Sequence, residues 1–319
     1  MAVSVCSCRS KVEHTPEAYP LITLTEFVQN LDRLVSTGGP GESEYRTIDE
    51  QLALLYVAVQ NAEVSKADVL AAVRRIPEFT DPSGTQGHGL IKPHGYAGDF
   101  EIIDRIYTYW TSPDPTLATW DRYFHAQPAP KAVRNRKAYF HMLLDGLVAR
   151  GGGRVLKLGV GPGRSMYEWL NRNRDAPIAF DCVELDSKAI DYAQNLNHAH
   201  LEHITFINAN ILRFRPAQKY DLIWAAGVFD YFDDRRFVAI CHRMLSALSA
   251  EGELVVGNFG RQNASRAYME LLGDWHLNHR SSEELIALAI QAGACPESVR
   301  VDAEPEEVNL FVHAKPGAP

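Results

Sequence analysis

Residues 154–163 read Arg-Val-Leu-Lys-Leu-Gly-Val-Gly-Pro-Gly. A short apolar run ends at Leu158 and passes directly into Gly159-Val160-Gly161-Pro162-Gly163, after which 164–171 continue at helical spacing. Strand, tight glycine bend and helix in that order bring backbone N–H groups to the positive end of a helix, where an anionic ligand group is welcome. Glu184 closes the next apolar run, 21 residues after Gly163. That is near the spacing of about 20 that sets a carboxylate against ribose hydroxyls. The glycines follow GxGxG rather than GxGxxG, and no second glycine-rich strand–helix unit appears, so a mononucleotide-sized ligand fits better than a dinucleotide.

Downstream of this unit, short apolar runs alternate with helical stretches, the pattern of a doubly wound parallel sheet. Strands are expected at 154–158, 179–184, 204–208, 220–225 and 252–258, and 298–303 with 308–313 read as a closing hairpin around Glu304-Pro305-Glu306-Glu307. Upstream, the pattern is helical. Thr23-Leu24-Thr25-Glu26 and Thr47-Ile48-Asp49-Glu50 read as capping boxes, each followed by apolar residues at helical spacing. A third helix spans 65–76 and halts at Pro77, Asp99 caps a fourth, and another covers 131–149. Residues 81–98 carry seven Gly or Pro positions and read as a loop. The Gly151-Gly152-Gly153 run marks a boundary, which gives a flexible terminus (1–20), a helical cap (21–150) and an α/β domain (151–319).

Composition narrows the function. The chain has 319 residues, 46% hydrophobic and 23% charged, which is ordinary globular usage. Its net charge of -8 offers no long-range attraction to nucleic acid or anionic lipid, so neither is an expected partner. The stretch MAVSVCSCRS lacks a basic region followed by an apolar one, and the expected location is cytoplasmic. Cys6, Cys8, Cys182, Cys241 and Cys295 lack the paired spacings of a zinc site or disulfide framework and read as free thiols. His94, His276 and His279 show no metal-ligand spacing, and no metal is expected. Arg134-Asn135-Arg136 reads as a solvated helix face.

The ordered set of glycine loop, Glu184, Ile207-Asn208-Ala209-Asn210 and terminal hairpin resembles the class I S-adenosylmethionine-dependent methyltransferases over 154–315. The resemblance implies a Rossmann-like sheet with a reversed last strand and S-adenosylmethionine as cofactor. It places the adenosyl group against Gly159, Val160, Gly161, Pro162, Gly163, Glu184 and Leu185, with Asn210 beside adenine; the loops after the fourth and fifth strands, from Ala226 and Asn258, are expected to face the sulfonium, where the aromatic faces of Phe229, Tyr231 and Phe259 suit a cation. Lys157 departs from the pattern, since the family commonly has an acid there to hold the cofactor's amine. An exposed or shifted side chain is one reading. If Lys157 instead faces the site, its charge disfavours the ammonium form of a nearby amine. Lys92-Pro93-His94-Gly95-Tyr96-Ala97-Gly98-Asp99-Phe100-Glu101 is similar to a motif in a bacterial subgroup that includes 3-hydroxypalmitic acid methyl ester synthases, and Asn258-Phe259, 266–270 and 274–277 with Arg280 share that similarity.

Ligands of open parallel sheets lie beyond the carboxyl ends of the strands. Asp230, Tyr231 and Asn258 are therefore the catalytic candidates on the sheet side, as proton acceptors or orienting groups, and Tyr96 with Asp99 the candidates on a closing lid. For Asp99 a helix cap is an equal alternative. Three functions stay open. The first is methyl transfer to a small or acyl-chain acceptor in secondary metabolism. The second is ring closure of S-adenosylmethionine to azetidine-2-carboxylate with release of methylthioadenosine, as in some enzymes similar to the family. The third is a non-catalytic cofactor sensor.

Overall fold

The computed structural model describes residues 22–317, so the expected flexible terminus and the thiols Cys6 and Cys8 lie outside the described residues. The described residues begin with eight helices: α1 (Leu24–Ser36), α2 (Glu42–Gln60), α3 (Lys66–Val73), α4 (Pro77–Thr80), α5 (Thr85–Ile91), α6 (Phe100–Thr108), α7 (Pro115–Ala126) and α8 (Pro128–Ala149). The Thr23 hydroxyl and Glu26 carboxylate cap α1 reciprocally, as the sequence indicates. Helix α2 differs from expectation. It begins at Glu42, because Glu44 reaches back to the Gly41 N–H and leaves Thr47 inside the helix. The expected loop at 81–98 also contains α5, despite Gly87 and Gly89. Gly87 is there for room: a Cβ would stand 2.0 Å from the Asp81 carbonyl oxygen.

The second half comprises β1 (Gly153–Leu158), α9 (Arg164–Arg172), β2 (Ile178–Glu184), α10 (Ser187–Leu196), β3 (Ile204–Asn208), β4 (Tyr220–Ala226), α11 (Asp234–Leu245), β5 (Leu248–Phe259), α12 (Arg266–Leu272), α13 (Ser282–Gln291), β6 (Arg300–Ala303) and β7 (Asn309–Ala314). The sheet order is β3-β2-β1-β4-β5-β7-β6, with β1 to β5 parallel and β7 antiparallel to both its neighbours. This is the expected Rossmann-like doubly wound sheet with a terminal hairpin. Because successive strand residues face opposite sides, Val155, Cys182, Trp224 and Phe311 pack under α8 and α9, while Leu156, Leu158, Ile223 and Val256 pack under α11 and α13.

A third core lies in the cap, where Phe27, Leu31, Leu52, Leu55, Val69 and Trp120 enclose Tyr268, Met269, Leu271 and Leu272 of α12. An element from the second half thus completes the core of the first, and the two halves close over the carboxyl edge of the sheet. No helix among the described residues is long and apolar enough to cross a membrane.

Candidate functional site

Chain order reverses between β1 and β4, and a cavity of about 400 Å³ opens beyond the carboxyl ends of these strands. Its floor is the glycine bend. Gly159, Gly161 and Gly163 all take positive φ, which L side chains resist. Their surroundings differ. A Cβ on Gly159 would strike Val228 at 2.2 Å, whereas a Cβ on Gly161 would meet nothing within 4 Å and would project into open space. Across the bend, Glu184 Oε2 accepts from the Gly161 N–H at 3.2 Å, and its Oε1 accepts from the N–H groups of Leu185 and Asp186. These bonds orient the carboxylate at the cavity rim and leave it further lone pairs. Leu185, Asn210, Ile211 and Leu212 continue the wall on that side.

At the β4 end, Ala226, Gly227, Asp230 and Tyr231 line the cavity. Asp230 is buried and its Oδ1 accepts from the Phe259 N–H at 2.6 Å. Burial pushes its pKa up to about 6, against that hydrogen bond and the nearby Arg136 and Arg280 charges. The Tyr231 hydroxyl donates to the Ala97 carbonyl at 3.1 Å and accepts from Trp275 Nε1 at 2.9 Å, so it ties the β4 loop to the cap. Gly98 leaves room for this meeting, since a Cβ there would stand 2.7 Å from the Trp275 ring. The Tyr96 hydroxyl donates to Asp186 Oδ2 at 2.8 Å, a second tie across the rim, and its pKa is raised by burial and by that carboxylate.

Four candidates from the sequence point elsewhere. Asp99 is buried and does not line the cavity; it caps α6 through the N–H groups of Glu101 and Ile102 and pairs with His88 at 2.9 Å. Phe229 is fully buried edge-on against Phe232 and Phe237. Asn258 is also fully buried, donating to the carbonyls of Phe259 and Asn278 and accepting from Arg280 at 2.7 Å. Gly163 caps α9 against Asn197 and Ala193 rather than facing the cavity. By contrast Lys157, for which an exposed side chain was one expectation, lines the cavity and is only 5% exposed. Arg136 corrects another expectation: it is not solvated but buried, and it lines the same cavity.

The cap supplies the apolar part of the wall through Ile103, Ile106, Phe124 and Val133, joined by Met269 of α12. Arg280 is a positioning group that sequence reasoning mentioned without a role. Its guanidinium donates to the carbonyls of Phe229 and Phe232 and to Asn258, which joins the loops after β4 and β5. Arg136 did leave a signal: Val133, Arg136 and Phe140 recur on one face of α8, so the arginine stands in an apolar stripe. Among the described residues His88, His94 and Asp99 bring possible metal-ligand atoms within 4.8 Å of one another. The Asp99 carboxylate is already taken up by His88 and the helix cap, and His94 Nε2 lies 3.1 Å from Glu101.

Comparison with known proteins gives the fold an independent context. Residues 155–252 match the family described as Methyltransferase domain. A possible exported protein from Bordetella parapertussis is 19% identical and superposes with a TM-score of 0.59, covering 81% of this chain and 99% of its own. The apo form of the S-adenosylmethionine-dependent methyltransferase SibL is 12% identical with a TM-score of 0.50, covering 86% of this chain and 77% of its own. No curated protein matches the sequence. At these identities the structural likenesses concern the fold, and they extend over most of the chain, cap included.

Proposed function

We propose that the chain is an S-adenosylmethionine-dependent methyltransferase of secondary metabolism, acting on a small or acyl-chain acceptor held beneath the cap. One observation carries the reading: a single cavity joins the glycine bend and Glu184 to an apolar chamber walled by Ile103, Ile106, Phe124 and Val133. The match of 155–252 to a methyltransferase domain supports it.

The residues fit an adenosyl ligand. The open space over Gly161 takes ligand atoms where any side chain would stand, and the Glu184 carboxylate faces the ribose position with lone pairs to spare. Leu185, Ile211 and Leu212 offer apolar contact to a base, and Asn210 a polar one. When bound, S-adenosylmethionine supplies a methyl carbon activated by a sulfonium and open to in-line displacement. The protein's part is alignment, exclusion of water and proton management. The ties Tyr96–Asp186 and Tyr231–Ala97 hold the cap over the rim. Asp230, with a pKa near 6, is ionised at neutral pH and poised to accept a proton from an attacking group beside the β4 loop.

Product analysis tests this. Purified protein with S-adenosylmethionine and a panel of carboxylic acids, alcohols and amines of increasing chain length should form S-adenosylhomocysteine only when an acceptor is present. Methylthioadenosine and a cyclic amino acid from S-adenosylmethionine alone would assign ring closure instead, and tight binding without turnover under any condition would assign a sensor.

A further inference from the structure

Two buried cations meet in the cavity and neither has an acid of its own. Lys157, on β1, is 5% exposed and Arg136, on α8, is 6% exposed. Among the described residues no carboxylate oxygen comes within 4.0 Å of either, although Glu184 and Asp230 line the same cavity. The Lys157 ammonium sits 5.1 Å over the Phe140 ring. Arg136 Nε donates to the Tyr107 hydroxyl at 3.3 Å, and its two terminal nitrogens lie along the Gly227 backbone, where a Cβ would stand 2.8 and 3.2 Å from them. A glycine at the exit of β4 is what lets the guanidinium reach the cavity. The two charges also oppose each other: burial first, and Arg136 among the further causes, lower the Lys157 pKa to about 8 against the raising pull of Cys182 and the Glu184 carboxylate.

Burying two unpaired like charges is costly, and a fold that keeps both facing one hollow leaves their counter-charge to a ligand. A guanidinium presents parallel donors to the two oxygens of a carboxylate, and an ammonium beside it adds another. With Glu184 and Asp230 on the same walls, a single negative charge suits the cavity better than a dianion. We propose that Lys157 and Arg136 form a carboxylate-binding subsite where the adenosyl half of the cavity meets the acceptor half. The carboxylate belongs either to the aminobutyrate end of S-adenosylmethionine or to the acceptor; the first source rests on the adenosyl reading above, the second does not.

Calorimetry with matched ligand pairs tests the subsite. S-adenosylhomocysteine is compared with its analogue lacking only the carboxylate, and octanoate with octanol, on the parent chain, Lys157→Met and Arg136→Lys. Thermal unfolding confirms that each variant is folded, and Lys157→Gln replaces the first if it is not. In the variants the carboxylate-bearing member of one pair should weaken by about ten- to hundredfold while its partner stays unchanged. Loss confined to the adenosyl pair assigns the cofactor's carboxylate, and loss confined to the octanoate pair assigns the acceptor's. Equal loss in both members of each pair, or loss in none, overturns the subsite. If the parent binds neither S-adenosylhomocysteine nor methylthioadenosine, the adenosyl reading fails by itself, and the octanoate pair still decides the subsite.

Discussion

The sheet and the cap face each other across one cavity and build it by different means. The sheet contributes mostly backbone and strand ends: the positive-φ bend at Gly159 and Gly161, the Glu184 carboxylate pinned by three N–H groups, and the turn into Asp230. The cap contributes side chains projecting from helices, with Arg136, Tyr107, Ile103 and Phe124 arriving from α8, α6 and α7. On the proposed reading, adenosyl recognition rests on local chain geometry, acceptor recognition on how the helices dock, and the anion subsite on both, with Lys157 from β1 and Arg136 from α8. The two sides should answer differently to substitution.

The largest effect belongs to the sheet side. Gly161→Arg places a long side chain in the open space over the bend and forces an L residue to a φ of +54, so binding of S-adenosylhomocysteine should fall below detection by calorimetry. Retained affinity would remove the glycine bend from the site. Next is Asp230→Asn, which keeps an oxygen for the Phe259 N–H but cannot accept a proton; turnover should drop by about 10²-fold with little change in affinity. The parent should gain activity as pH rises through about 6, where Asp230 ionises, and the variant should lack that limb. A variant as fast as the parent would leave the β4 loop a purely structural role.

Lys157→Met tests the cost of the buried charge without any ligand. The unfolded chain holds the Lys157 proton to about 10.5 and the folded protein releases it near 8. The native state is thus penalised in full below pH 8, and the penalty fades as pH rises toward 10.5. The ligand-free variant should be more stable at pH 7 by up to about 3 kcal/mol, and the gain should shrink at higher pH. Urea unfolding at the two ends of this range checks the sign, and a destabilised variant would contradict it. The smallest effect is expected on the cap. Tyr96→Phe removes one rim hydrogen bond to Asp186, which can turn to water, so cofactor affinity should weaken only by about two- to tenfold.

The same contrast governs what the sequence reveals. The strand–bend–helix unit at 154–171, Glu184 one strand later and the terminal hairpin are legible because their signals are local: spacing, glycine and apolar runs. The Thr23–Glu26 capping box is legible for the same reason. The start of α2 is not, because Gly41 serves as its cap without a side chain to announce it. Nor is α5, where Gly87 answers to the Asp81 carbonyl packed against it rather than to a turn. Arg136 and Lys157 look like surface charges until α8 is laid on the sheet. Asp99 is the divided case: a polar residue beside glycines suits a lid or a helix cap equally, and its carboxylate serves the cap and His88.

On the adenosyl reading, the bend at Gly159–Gly161 forms the floor of the site and the Glu184 carboxylate its rim. Titration calorimetry of the full chain with S-adenosylhomocysteine tests it most directly. Saturable one-to-one binding is expected, weakened by Glu184→Ala and abolished by Gly161→Arg; absence of measurable heat from the folded parent chain would overturn the assignment.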